Sequence, residues 1–175
     1  MRARQQITIS IAALLSAVLV SGVVAAPAGK FHPMHLYGSW NGQWKNKTTG
    51  DTGDAAATVR AENHRFTITL DLFGDVFGCG DPPLGSVTLR RGQGKNKWNG
   101  RGFTVYRRKS ADFGRASAVY DARTKDLSVR GNVPCQAKRK FVLNGKLRFA
   151  KLRLRGRVSG GQGGRDAVRL RLDRN

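Results

Sequence analysis

Two stretches near the C-terminus alternate almost without a break: Lys151-Leu152-Arg153-Leu154-Arg155-Gly156-Arg157-Val158 and Val168-Arg169-Leu170-Arg171-Leu172. A period of two puts leucine and valine on one face of a strand and the cations on the other. Between them Ser159 to Ala167 contains Gly160, Gly161, Gly163 and Gly164 and reads as a hairpin loop. If the two strands pair, like charges stand beside each other across the ladder, which costs stability. The same arrangement becomes favourable when an anion lies on it.

The rest of the chain carries the same period in shorter pieces. Phe31 to Leu36 is a lead-in, and Tyr37 to Trp44 alternates as a first strand. Asn46 to Asp54 reads as a loop, followed by strands over Ala56 to Ala61 and Phe66 to Phe73 with Glu62-Asn63-His64-Arg65 as their turn. Gly74 to Pro83 is a long connection that ends on two prolines. Val87 to Arg91 with Trp98 to Arg107, and Ala116 to Tyr120 with Leu127 to Arg130, read as hairpins. Asp and Thr in the connection from Asp121 to Asp126 suit side-chain-to-backbone turn bonds. Phe141 to Leu143 reads as a short strand that turns at Asn144-Gly145, the strongest two-residue hairpin signal in the chain, and returns over Lys146 to Phe149. The alternation then slips by one residue before Lys151, which indicates a bulge or bend.

Eight to ten short strands joined by Gly-rich turns predict an all-β fold, a single antiparallel up-and-down β-barrel, with a β-sandwich as the alternative. Only Ile7 to Val24 is a long apolar run. Behind Arg2 and Arg4, and before the small residues Ala25-Ala26-Pro27-Ala28, it reads as a signal peptide over residues 1–28, cleaved after Ala25 or Ala28. An uncleaved membrane anchor is the alternative. Residues 29–175 then form one domain, in a protein that is secreted or periplasmic.

Tyr37-Gly38-Ser39-Trp40 resembles the Gly-x-Trp opening of calycin barrels, the lipocalin, avidin and fatty-acid-binding group. The resemblance covers a few residues and carries no binding residues across. It implies an up-and-down barrel closed at one end by the Trp, under an Arg of the last strand; Arg169 and Arg171 are the candidates.

Charge adds a class of partner to this picture. The chain has 32 Lys and Arg, 21 of them Arg, against 11 Asp and Glu, and Glu62 is its only glutamate. Loss of the leader lowers the net charge from +21 to +19. Such a balance draws a protein to polyanions within the reach of salt screening; compositional drift or an acidic habitat is the competing account. Arg predominance favours bidentate capture of phosphate, carboxylate or sulfate. The residues assigned to anion binding are Lys151, Arg153, Arg155, Arg157, Arg169 and Arg171. Arg90-Arg91, Lys95, Lys97, Arg101, Arg107-Arg108-Lys109 and Lys138-Arg139-Lys140 extend the basic surface at strand ends and turns, with Trp98, Phe103 and Tyr106 interleaved.

Other chemistry is thinly provided. Export favours a structural disulfide between Cys79 and Cys135, the only cysteines. His32 and His35 lack a third metal ligand, and Asp71, Asp75 and Asp81 match no EF-hand spacing. No Ser sits in a nucleophile elbow and no His has a carboxylate orienter. No catalytic residue, metal site or cofactor is therefore assigned. Asn46-Lys47-Thr48 matches the N-glycosylation pattern in an expected surface loop. The function these observations predict is non-enzymatic binding of an anionic envelope or extracellular partner: polysaccharide, lipopolysaccharide, anionic lipid head groups or nucleic acid. Two alternatives stand beside it. One is a calycin-like carrier of an apolar small molecule, with Ala57, Ala61, Ala116 and Ala118 leaving interior room. The other is an inhibitor or adhesin that docks on an acidic protein.

Overall fold

A computed structural model describes residues 31–62, 64–76, 84–94, 96–105, 113–133, 136–159 and 164–175. A 3-10 helix, Pro33–Leu36, precedes ten strands: β1 (Gly38–Asn46), β2 (Thr52–Glu62), β3 (Arg65–Leu72), β4 (Leu84–Arg91), β5 (Lys97–Val105), β6 (Phe113–Asp121), β7 (Asp126–Val133), β8 (Gln136–Leu147), β9 (Lys151–Ser159) and β10 (Arg165–Arg174). Each pairs antiparallel with its sequence neighbours, and β1 pairs with β10 to close the barrel. The fold is the up-and-down barrel that the alternation predicts, and closure removes the free edges that a sandwich keeps. Among the described residues no helix is long and apolar enough to cross a membrane. The leader, both cysteines, Asp81, Lys95, Tyr106 and Arg107 to Lys109 lie outside the described residues.

The period-two pattern sorts every wall into an inner and an outer face. Trp40 and Trp44 of β1, Ala55, Ala57 and Val59 of β2, and Leu152, Leu154 and Val158 of β9 point inward and are buried. Ala116 and Ala118 are buried as well, and Ala61 packs against the core. One rim of the barrel carries the lead-in helix and the turns after β2, β4, β6 and β8. There Phe31 packs on Trp98 and Tyr120, with ring centroids 5.7 and 5.6 Å apart, and Phe66 packs on the same two rings at 5.5 and 5.6 Å. Leu36 is buried beside them. The lead-in is thus a plug for this rim, and Trp98 belongs to the core.

Three local expectations are corrected. Asn144 and Gly145 do not turn; they lie within β8, where Asn144 faces Arg155 and Gly145 faces Leu154 on β9. The inner wall is so tightly coiled there that a Cβ on Gly145 would collide with the Arg153 carbonyl oxygen. Close approach of backbone, not a positive φ, explains this glycine. The chain turns instead at Arg148 to Ala150, where Arg148 N–H donates to the Lys151 carbonyl at 2.9 Å. The slip in alternation before Lys151 marks this turn.

Asn46 is the second correction. It is the last residue of β1 and only 2% exposed. Its Oδ1 accepts from the backbone N–H of Thr48 at 2.9 Å and of Thr49 at 3.4 Å, an Asx-type turn. A buried, engaged side chain is no glycosylation acceptor, and the expected loop shrinks because Thr52 to Asp54 already belong to β2. The third concerns Arg139, expected at the surface. It points into the barrel near the second rim, where its guanidinium meets Asp166 at 2.5 Å, the two side chains being 7% and 9% exposed. Val133, Val158 and Val168 form a small apolar cluster at the same end.

Candidate anion-binding wall

Lys151, Arg153, Arg155 and Arg157 on β9, and Arg169 and Arg171 on β10, all stand on the outer wall, since Leu152, Leu154 and Val158 of β9 and Val168, Leu170 and Leu172 of β10 are buried on the alternate positions. Strand register brings them together: Arg155 is opposite Arg169, and Arg153 opposite Arg171. Barrel closure adds cations that strand pattern alone does not join to them. Lys45 of β1 is opposite Arg169, so Arg155, Arg169 and Lys45 form one row across three strands, at steps of about 4.8 Å. Lys47 follows, its N–H donating to the Ala167 carbonyl at 2.6 Å. In the next row, Arg101, Arg130 and Arg157 alternate with Ser117 and Val142 across β5 to β9.

Three carboxylates of the outer wall sit away from these rows. Glu62 pairs with Arg65 at 2.7 Å, Asp121 with Lys97 at 2.6 Å, and Asp126 with Lys146 at 2.7 Å, all beside turns of the lead-in rim. These contacts hold all three carboxyls below their usual range, chiefly through the hydrogen bond each accepts from its cation. Asp121 also accepts from the N–H of Arg123 and Thr124, the turn bonding expected of this connection. Arg153 is claimed in the same way: it meets Asp173 at 2.5 Å and donates to the Leu152 and Leu172 carbonyls. Of the six assigned cations it is therefore the least free to bind an external anion.

The row of Arg155, Arg169 and Lys45 contains no carboxylate. Arg169 shows the strain of this arrangement: its guanidinium is held below the usual arginine range, first by desolvation and then by the charges of Arg155 and Arg171. Side chains two apart on a strand are about 6.7 Å apart and those on neighbouring strands about 4.8 Å apart. The wall thus offers a two-dimensional lattice of guanidinium forks, each suited to a planar or tetrahedral anion. An open groove of about 910 Å³ borders it on the outer wall, with Asn41, Gln43 and Lys45 of β1 between Arg169 and Arg171 on one side and Asp54 and Phe73 on the other.

The last-strand Arg that covers the first-strand Trp is neither Arg169 nor Arg171, which both face outward. Arg174 takes that place, its guanidinium carbon 5.6 Å from the Trp40 ring centroid and 4.0 Å from that of Phe149, while it donates to the Tyr37 carbonyl. The interior keeps an apolar cavity of about 80 Å³, lined by Ile68, Leu70, Val87, Phe141 and neighbours. Comparison with protein-family models, with curated proteins and with solved structures finds no match.

Proposed function

We propose that this is an exported, non-enzymatic binding protein that holds an anionic envelope or extracellular partner on the outer wall of β9, β10 and β1. The observation that carries the reading is the row of Arg155, Arg169 and Lys45, three cations in register with no carboxylate among them. A free protein gains nothing from such crowding, and an anion laid across it relieves the repulsion. Arg157 and Arg171 stand on either side of the row, Lys151 lies at its margin, and Lys47 lies across the seam from Ala167, in line with Arg157.

The carrier reading has the Trp40–Arg174 pair in its favour, since the calycin resemblance implies that contact. Its interior is small: about 80 Å³, against roughly 300–1,000 Å³ for ordinary small-molecule sites. The outer wall is the better supported site.

Retention on immobilised heparin across a salt gradient tests the proposal. The wild-type protein is expected to elute only at high salt, and a variant with Arg155, Arg157, Arg169 and Arg171 changed to Gln to elute much earlier with an unchanged far-UV spectrum. Equal elution of the two proteins would overturn it.

A further inference from the structure

The groove beside the cationic rows is not itself uniformly basic. Register places Arg171 opposite Gln43 and Gln43 opposite Asp54, and the N–H of Phe73 donates to the Asp54 carbonyl at 2.9 Å. Arg171, Gln43, Asp54 and Phe73 therefore make one row across β10, β1, β2 and the residue that follows β3, about 14 Å from first to last. A guanidinium, an amide, a carboxylate and an aromatic ring follow one another along it. Asp54 is exposed and makes no ion pair among the described residues, in a protein with cations to spare.

Phe73 is held in place from both sides. Besides the bond to Asp54, its carbonyl accepts from the indole N–H of the buried Trp44 at 2.9 Å. Its side chain nonetheless stays 44% exposed at the groove. A pinned backbone with an exposed ring presents a flat apolar face at little entropic cost to a ligand that stacks on it.

We infer that this groove takes an acidic glycan, with the carboxylate of a uronic-acid-type sugar on Arg171 and Arg169 and a sugar ring further along the same chain on Phe73. This rests on the polyanion reading above and narrows it. Gln43 and Asp54 supply the acceptors that sugar hydroxyls need, and Gln43 a donor as well. A run of phosphates would set a charge against the Asp54 carboxylate at every step, whereas successive uronic acids of a twisting chain turn their carboxylates to different sides and can offer Asp54 a hydroxyl instead. A nucleic-acid strand needs successive stacking rings, whereas Trp40 and Trp44 of the same wall point inward and are buried.

Fluorescence anisotropy with an end-labelled oligogalacturonate, in parallel with inorganic polyphosphate and oligo-dT of matched charge, tests the inference on the purified protein. Phe73→Ala should weaken the oligogalacturonate about ten-fold and leave polyphosphate unchanged. Gln43→Ala, at an exposed strand position, should weaken the same ligand selectively, and Arg169→Gln/Arg171→Gln should weaken all the probes. Unchanged oligogalacturonate affinity in both Phe73→Ala and Gln43→Ala, or tighter binding of oligo-dT than of the sugar, would overturn the glycan assignment while leaving the cationic wall standing. Failure of every probe to bind would overturn both.

Discussion

Arg155 stands directly opposite Arg169 across the β9–β10 ladder, and Lys45 stands on the other side of Arg169. The repulsion is Coulombic and exposed, so salt screens it. Added sodium chloride should raise the melting temperature of the wild-type protein. Arg155→Gln/Arg169→Gln should melt higher than wild type in low salt and respond less to added salt. Thermal scans from low to physiological ionic strength check this. The lowered pKa of Arg169 penalises its charged form at every pH below its own titration, so salt, not pH, exposes the effect.

Acid acts through the other set of charges. Asp121, Asp126 and Glu62 titrate below their ordinary values because Lys97, Lys146 and Arg65 bond to their ionised forms. A depressed folded-state pKa contributes stability that is present above the unfolded value, about 4, and is lost as pH falls through the folded value. Stability should therefore be level from about pH 5 to 9 and decline below about pH 4. Asp126→Asn should lower the plateau slightly and soften the acid limb in a melting-temperature series.

The Arg139–Asp166 pair is buried, so its removal has a different scale. Asp166→Ala leaves a guanidinium inside the barrel without that carboxylate and should cost about 3–5 kcal/mol in urea unfolding. Arg139→Met/Asp166→Leu should recover most of the loss, because an apolar pair can fill the place beside Val133, Val158 and Val168.

Asn144 and Gly145 offer a test of strand against turn. In a two-residue hairpin both positions matter; within β8 they separate. Asn144 is exposed and outward, so Asn144→Thr should be neutral or mildly stabilising. Gly145→Ala forces a methyl group onto the Arg153 carbonyl and should cost more than about 1 kcal/mol. Equal losses in denaturant titrations of the two variants would contradict the strand assignment.

Much of the architecture was legible because the alternation at Lys151 to Val158 and Val168 to Leu172 is unambiguous, and strands of one period close into barrels or stack as sandwiches. Misreadings arose where a local signal competed with tertiary geometry. Asn-Gly is a turn signal only if the chain turns, and here the coil of the wall required the glycine. Arg139 lies between Lys138 and Lys140 and reads as surface, yet it is the inward member of that alternation, and its partner Asp166 is distant in sequence. Lys45 faces outward near the end of β1 and Lys47 follows just past it, but their place beside Arg169 and Ala167 depends on β1 meeting β10, which no local pattern states. Arg153 reads as equal to its neighbours until register sets Asp173 beside it. For Phe73 the sequence offers no signal, since exposure of an aromatic at a strand end depends on what holds its backbone.

The seam between β1 and β10 joins strands from opposite ends of the described chain, with Trp40 in register with Arg174. Every other ladder is a hairpin between sequence neighbours and can zip as the chain emerges. The seam must wait. Until β10 arrives, the nine preceding strands form a curved open sheet with unpaired backbone at β1 and β9 and part of its apolar lining in water. Loss of β10 would free both edges at once, so a truncated chain should associate edge to edge more readily than it unfolds to a soluble coil.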